Sequence, residues 1–312
     1  MQAIGVDIGG TKIAAGLVDE DGQLLAQTRR DTDPTDPAAI ELAVASAVQE
    51  LRVGWDVVGV GVAAAGFVSP RRDGVVFAPN IAWRDYPLRA RLAQSIDLPI
   101  VIENDANAAG WAEFRYGAGR AVEDMVMATV GTGLGGAIIL DGRLWRGAFG
   151  AAGEIGHMNM VPHGHYCGCG HEGCWEMYAS GRALTRAARA AAIASPDRAA
   201  ALVELAGGPG RKIRGHHVTA AAEAGDPLAI ELFAELGYWL GAGLADLAAV
   251  LDPAVAVIGG GVVAAGDLLL EPVRDSYQRH LSARGFRGEL TVAAAEMGNE
   301  AGMVGAADLA RR

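Results

Sequence analysis

The chain of 312 residues reads as an α/β protein built from two related lobes, and two observations carry that expectation. A short apolar run at residues 3–8 ends in Gly9-Gly10-Thr11 and is followed by two strand-like runs separated by an Asp/Gly turn. The same order returns in the middle of the chain, where 125–130 leads into Gly131-Thr132-Gly133, then 134–140, Asp141-Gly142 and 143–146. A grammar that repeats in this way signals an internal duplication. The composition agrees, since 51% hydrophobic and 20% charged residues supply core for two lobes and argue against disorder.

In chain order, residues 3–8 predict a buried strand entering a tight turn, 13–18 a second strand, Asp19-Glu20-Asp21-Gly22 a turn, and 23–30 a third strand. This is a β-meander, not a βαβ unit. Residues 31–37, with two prolines and three aspartates, form a linker that caps a helix over 37–52, and 57–63 reads as another buried strand. An apolar strand from residue 100 ends in Glu103-Asn104-Asp105, with a helix expected to begin near Asn107. Beyond a cysteine loop at 167–174 the chain turns helical over 181–194, 199–206 and 219–251. The last of these is interrupted at Gly225-Asp226-Pro227, where Asp226 and Pro227 suit N-cap and first-turn positions. Asp252-Pro253 stops it, 254–258 is a strand running into Gly259-Gly260-Gly261, and 290–294 is another strand. The expected lobes are a small α/β lobe at 1–105, on which a terminal helix at 299–312 packs back, and a large α/β lobe at 106–298.

The formal net charge of −11, with lysine only at positions 12 and 212, argues against nucleic acid as the main partner, because a phosphate backbone asks for a clustered basic surface. The first residues lack both the basic and the apolar region of a secretory signal, so a cytoplasmic location is expected. The most apolar long stretch, 236–251, carries Asp246 and is shorter than the roughly 20 residues of a membrane span, so no membrane association is expected. The three cysteines, Cys167, Cys169 and Cys174, share one short loop. An odd number in a reducing compartment points to metal rather than to disulfides.

Glycine-rich turns let backbone N–H groups approach phosphate oxygens, and a hydroxyl such as Thr11 or Thr132 adds a donor. Either loop alone also reads as a tight hairpin; the pair, in one repeat, is suited to clamping a triphosphate. Asp7, at the end of the first strand, is placed to hold Mg²⁺ directly or through water. Gly131 to Gly136 also matches G-x-G-x-x-G, but that dinucleotide fingerprint must open a helix, and here an apolar strand and a turn follow. Gly259-Gly260-Gly261, running into Val262, offers a flat surface for an adenosine or, equally, a simple strand-to-helix turn.

Asp105 lies at a strand end, where α/β sheets place their ligands, and a carboxylate there can accept the proton of an attacking hydroxyl in phosphoryl transfer. The competing role is a helix N-cap, open to Asn104, Asp105 and Asn107 alike. Glu154, His157 and Glu176 offer the donors and acceptors that a polyhydroxylated ligand needs, or else stand as separate surface residues. The cysteine loop supplies three thiolates for a Cys₃His structural zinc site, whose fourth ligand is open among His157, His163, His165 and His171.

Together, Asp7 to Lys12, Glu103 to Asn107, Gly131 to Gly136, Gly153 to His157 and Cys167 to Glu176 resemble the signatures of the ROK family of bacterial sugar kinases and repressors, in order and spacing, over essentially the whole chain. They are most similar to those of its glucokinases. The resemblance implies an actin-like, hexokinase-like (ribonuclease H-like) duplicated two-lobe ATPase fold. It further implies ATP-dependent phosphorylation of glucose at the 6-hydroxyl, with ATP–Mg²⁺ bound between lobes that a hexose closes. By the same resemblance Asp105 is the catalytic base, and Asn104, Asp105, Glu154, His157 and Glu176 bind sugar hydroxyls, joined by Gly66 and Asn80. Asp7, Gly9, Gly10, Thr11, Lys12, Thr132, Gly133, Gly259, Gly260, Gly261 and Val262 are expected to face the nucleotide and its Mg²⁺. His157 then joins Cys167, Cys169 and Cys174 around structural Zn²⁺, one ring nitrogen on the metal and the other toward the sugar. The family's repressors carry an N-terminal DNA-binding segment; with the first strand so close to Met1, none is expected in this chain. Kinases of N-acetylmannosamine, fructose or allose, and a sugar sensor without catalysis, are the alternatives. Apolar helices from Thr219 onward leave surface for a homo-oligomer, a dimer or tetramer.

Overall fold

A computed structural model describes every residue except Thr11, so the expected phosphate contact of that hydroxyl lies outside the described residues. The chain opens with the expected meander, β1 (Gln2–Ile8), β2 (Lys12–Val18) and β3 (Leu24–Asp31), followed by α1 (Pro37–Leu51) and β4 (Val57–Ala64). Helix α1 starts where its residues dictate: Asp36 accepts hydrogen bonds from the N–H groups of Ala38 and Ala39 at 3.0 and 3.1 Å, and Pro37 fills the first turn. Next come β5 (Phe67–Val68), β6 (Val75–Phe77), β7 (Arg84–Tyr86) and α2 (Leu88–Leu92), then β8 (Ile100–Asn104) and α3 (Asp105–Tyr116). The second meander is β9 (Met125–Val130), β10 (Leu134–Leu140) and β11 (Arg143–Leu144). Helices α4 (Gly181–Ala194), α5 (Ala200–Leu205), α6 (Gly215–Glu223) and α7 (Pro227–Leu251) follow. The chain closes with β12 (Val255–Gly259), α8 (Asp267–His280), β13 (Thr291–Ala294) and α9 (Ala301–Ala310).

The strand orders carry the duplication. One sheet runs β3-β2-β1-β4-β8 and the other β11-β10-β9-β12-β13, a meander on one side of its first strand and two later strands on the other. The chain divides into two compact units, Met1–Val126 with Ala137–Gly153 and Glu296–Arg312, and Met127–Gly136 with Glu154–Ala295. The first unit thus runs past residue 105, the boundary expected from the sequence, because α3 packs on α9 and stays with it.

In the first unit β1, β4 and β8 are parallel, with Ile8 opposite Ala64 and Ala64 opposite Asn104, so their C-terminal ends finish level. Ile4, Val6, Ile8, Val44, Val48, Val62 and Ile102 form the buried layer between this sheet and α1, each contributing about 1.5–3 kcal/mol on burial. On the sheet's other face lies α9, close enough that a Cβ on Gly5 would sit 1.8 Å from the Met303 carbonyl oxygen and one on Gly61 1.8 Å from that of Ala306. Only glycine permits this approach.

In the second unit α7 starts at the Asp226-Pro227 cap and runs to Leu251, as the sequence led one to expect. Its 25 residues are long and apolar enough to span a membrane, yet 67% of its most apolar window is buried, against α8, α4 and α6. It is a core helix. Asp226 caps it, accepting from Ala229 N at 2.8 Å, and Asp252 ends it in the left-handed region at φ 49°. Helix α8 was not expected, because Pro272 within it masks the helical pattern.

Candidate active site

The level ends of β1 and β8 set Asp7 and Asp105 at one edge of the first unit's sheet. Helix α3 begins at Asp105 itself rather than near Asn107, and this settles the competition for its cap. Asn104 takes the cap, its side-chain oxygen accepting from Asn107 N at 2.9 Å. Asp105 is therefore not spent on capping. Its Oδ1 accepts from Ala106 N at 2.9 Å and from the Asn104 amide at 3.1 Å. Burial pushes its carboxyl upward, against the pull of those donors. Asp7 is pushed up to about 6, by burial first and then by the charge of Asp105. A buried carboxylate raised further by the charge of a second one forms a site that favours a cation.

The other expected residues of this unit gather at the same edge. Asn104 also donates to the Gly66 carbonyl at 3.1 Å, tying Gly66 to the Asp105 turn. Gly9 N donates to Lys12 O at 2.9 Å, closing the first glycine loop, and a Cβ on Gly10 would lie 3.8 Å from Cβ of Asn80. Beneath them lies a group that sequence reasoning passed over. Glu103 is 1% exposed and stands 3.0 Å from Arg72 Nε and 2.9 Å from Arg146 Nε. Arginine supplies almost all the positive charge of this chain, so nothing in the sequence singles out these two. Arg146 had been expected in a strand over 143–146, which instead stops at Leu144.

In the second unit the Gly131 loop is closed by Gly131 N donating to Gly133 O at 3.0 Å, and anchored by Gly181 N donating to Gly131 O at 2.8 Å. The residues after it form β10, not a helix, which excludes the dinucleotide fingerprint. Gly259 ends β12, and Gly260, at φ 84°, would place a Cβ 2.5 Å from Val130 O, so glycine is required there. Gly131, Thr132, Gly261 and Val262 line a cavity of about 910 Å³, with Arg182 and Lys212 among its other walls. These last two cations were not singled out from the sequence.

His157, Cys167, Cys169 and Cys174 bring one ligand atom each within 4.8 Å of one another. Cys169 Sγ lies 3.5 Å from Cys174 Sγ, and Cys167 Sγ lies 3.7 Å from His157 Nδ1. A tetrahedral zinc with bonds of about 2.0–2.3 Å separates its ligand atoms by roughly 3.5–3.8 Å, so the set fits that ion. Of the four candidate histidines His157 completes the group, while His171 reaches only the exposed Cys169 at 3.7 Å. Burial works against the thiolate at Cys169, but the His171 backbone N–H and neighbouring donors bring it down to about 6. Glu154 Oε2 lies 4.0 Å from His157 Nε2. Cys167 donates to Glu176 Oε1 at 2.9 Å, and Glu176 Oε2 would lie 2.6 Å from a Cβ on Gly133. The metal cluster and the second glycine loop therefore meet at Glu176.

Two sheets of matching order, each carrying a glycine loop, with carboxylates at parallel strand ends, define the hexokinase-like class of ATP-using folds. Within that class the chain belongs to the ROK family, whose model matches residues 3–312. It is 52% identical to a glucokinase of Streptomyces coelicolor over 99% of this chain and 97% of that protein. It is 35% identical to an N-acetylmannosamine kinase of Escherichia coli, over 100% of this chain and 99% of the other. Among solved structures, a ROK family glucokinase from Streptomyces griseus, in complex with glucose and AMPPNP, superposes with a TM-score of 0.90 at 51% identity, covering 100% of this chain and 99% of that one.

Proposed function

We propose that this chain is an ATP-dependent glucokinase, transferring the γ-phosphoryl group of ATP to the 6-hydroxyl of glucose to give glucose 6-phosphate and ADP. The observation that carries the reading is the division of labour at α3: Asn104 caps the helix and Asp105, beside Asp7, is left for a substrate. Asp105 accepts the 6-hydroxyl proton as that oxygen attacks the γ-phosphorus in line with the departing ADP oxygen. Asn104, Gly66, Asn80, Glu154, His157 and Glu176 serve as sugar ligands. The Gly9–Lys12 and Gly131–Gly133 loops take the phosphates, and Gly259 to Val262 take the nucleoside. When bound, Mg²⁺ neutralises phosphate charge, with Asp7 as its protein ligand. Zinc, when bound by His157, Cys167, Cys169 and Cys174, orders the stretch between Glu154 and Glu176. A cytoplasmic location belongs to the same reading, as does a homo-oligomer, supported by the exposed Val250 and Tyr238 on α7.

A second reading, phosphorylation of N-acetylmannosamine, draws on the relative of that name at 35% identity and is the weaker one beside 52%. A coupled ADP-release assay across glucose, mannose, fructose and N-acetylated hexosamines separates them. Glucose should give a kcat/KM at least tenfold above the others, and a higher value for N-acetylmannosamine would install the second reading. Sugar binding without ADP release would make the chain a sensor. Metal analysis of the purified protein should find about one zinc per chain, lost in Cys169→Ser; its absence under reducing, chelator-free conditions would remove zinc from the reading.

A further inference from the structure

We propose that Arg146 is a positioning residue for Asp105, acting through Glu103; the inference rests on the reading of Asp105 as the base. Glu103 precedes the Asn104-Asp105 pair on β8, and its carboxylate holds both neighbours of Asp105 that shape the first turn of α3. Oε1 accepts from Asn104 N at 2.9 Å and from the Asn107 side-chain amide at 3.1 Å. A buried carboxylate bound this way fixes the turn only if it is itself fixed, and a guanidinium does that with directed bonds.

Two guanidiniums reach Glu103, and they are not equivalent. Arg72 Nε stands 3.0 Å from Oε2, and its other ties are through the backbone, where its N–H donates to Ser69 O at 3.0 Å and its carbonyl accepts from Ile102 N at 3.2 Å. Arg146 Nε donates to Oε1 at 3.1 Å and lies 2.9 Å from Oε2 as an ion pair. Its other two nitrogens donate to the carbonyls of Pro70 and Ser69, each at 3.0 Å. That segment follows β5, which begins one residue after Gly66, the residue whose carbonyl Asn104 holds. A ring closes from Arg146 through Glu103 and Asn104 to Gly66, and back along the chain to Ser69 and Pro70, with Asp105 mounted on it. Arg72 balances charge, whereas Arg146 sets geometry. A lysine could keep one contact of the fork but not all three.

Misplacing a reacting group by about 1 Å costs on the order of a hundredfold in rate, so the clamp should be read in kcat. Steady-state kinetics and thermal midpoints of Arg146→Met, Arg146→Lys, Arg72→Met and Asp105→Asn test this. Arg146→Met should lose at least tenfold in kcat with the glucose KM within threefold of wild type, and Arg146→Lys should fall between the two. Arg72→Met should keep kcat within threefold even where its thermal midpoint falls as far. A kcat for Arg146→Met within threefold of wild type overturns the proposal. So does an equal loss in Arg72→Met and Arg146→Met, the mark of a merely structural pair. Should Arg146→Met not fold, Arg146→Lys decides: a kcat reduced at least threefold at unchanged KM supports the clamp, and a wild-type kcat ends it. Turnover surviving in Asp105→Asn removes the underlying base assignment instead, a failure visible whatever the Arg146 variants do.

Discussion

Helix α3 carries a carboxylate at each end, and the fold treats the two oppositely. At the C-terminal end Glu113 is fully buried and accepts three backbone N–H groups, from Ala118 at 3.0 Å, Glu296 at 3.1 Å and Met297 at 2.7 Å. It is a staple, joining α3 to the segment that leads into α9. Asp308 completes the same end: burial alone would push its carboxyl up, but hydrogen bonds from Tyr116 and Trp111 and the neighbouring Arg312 hold it below the usual range. At the N-terminal end Asp105 has its cap duty taken by Asn104; burial raises its cost of ionisation, and its charge in turn raises that of Asp7. An acid whose partners are all internal stabilises the fold. One placed beside another acid is a burden on the fold that a bound cation and substrate relieve, which marks it for function.

The comparison breaks first at Asp105. Asp105→Asn should lower turnover at least a hundredfold, about 2.7 kcal/mol of barrier, with sugar affinity largely kept. Near-normal turnover in a folded variant would show that proton acceptance lies elsewhere. Glu113→Ala should do the reverse. It removes the acceptor of three part-buried N–H groups and should lower unfolding free energy by about 2–3 kcal/mol in denaturant titration, while the folded enzyme keeps kcat within a few-fold. A Glu113→Ala protein as stable as wild type would show that water replaces the staple.

The sequence revealed the duplicated sheet order because each strand run ends in a glycine loop or an Asp/Gly turn, and Asp141 and Gly142 indeed take positive φ, at 50° and 68°. Strands β5 to β7 are two or three residues long, too short to show periodicity, and so were invisible. The cysteine spacing announced a metal cluster but left four histidines open; the family resemblance preferred His157, which is the one the fold groups with the three thiols. The ambiguity at Asn104, Asp105 and Asn107 was chemical: all three can cap, and only the point at which the backbone turns helical, at Asp105, assigns the role to Asn104. Arg146 was beyond reach for a related reason, since its partners Ser69, Pro70 and Glu103 are distant in sequence and two of them offer only backbone carbonyls.

The finest test of the comparison is Asp7, because it should lose function and gain stability in one substitution. Its carboxyl titrates near 6 in the fold against about 3.9 in an unfolded chain. A folded value raised above the unfolded one means a contribution to stability that is fully present below pH ~4 and lost as pH rises through about 6. Holding the ionised group in the ligand-free fold at pH 7 costs about 1–2 kcal/mol, allowing for its partial exposure. Asp7→Asn removes that cost. The thermal midpoints of variant and wild type should therefore coincide near pH 4 and diverge in the variant's favour up to pH 7, while kinase activity falls because the Mg²⁺ ligand is gone. Since Asp105 is the second cause of the raised value, the stability gain from Asp7→Asn should shrink in an Asp105→Asn background, an interaction a double-mutant cycle measures. Equal gains in both backgrounds would mean that burial alone strains Asp7 and that the two carboxylates do not act as a pair.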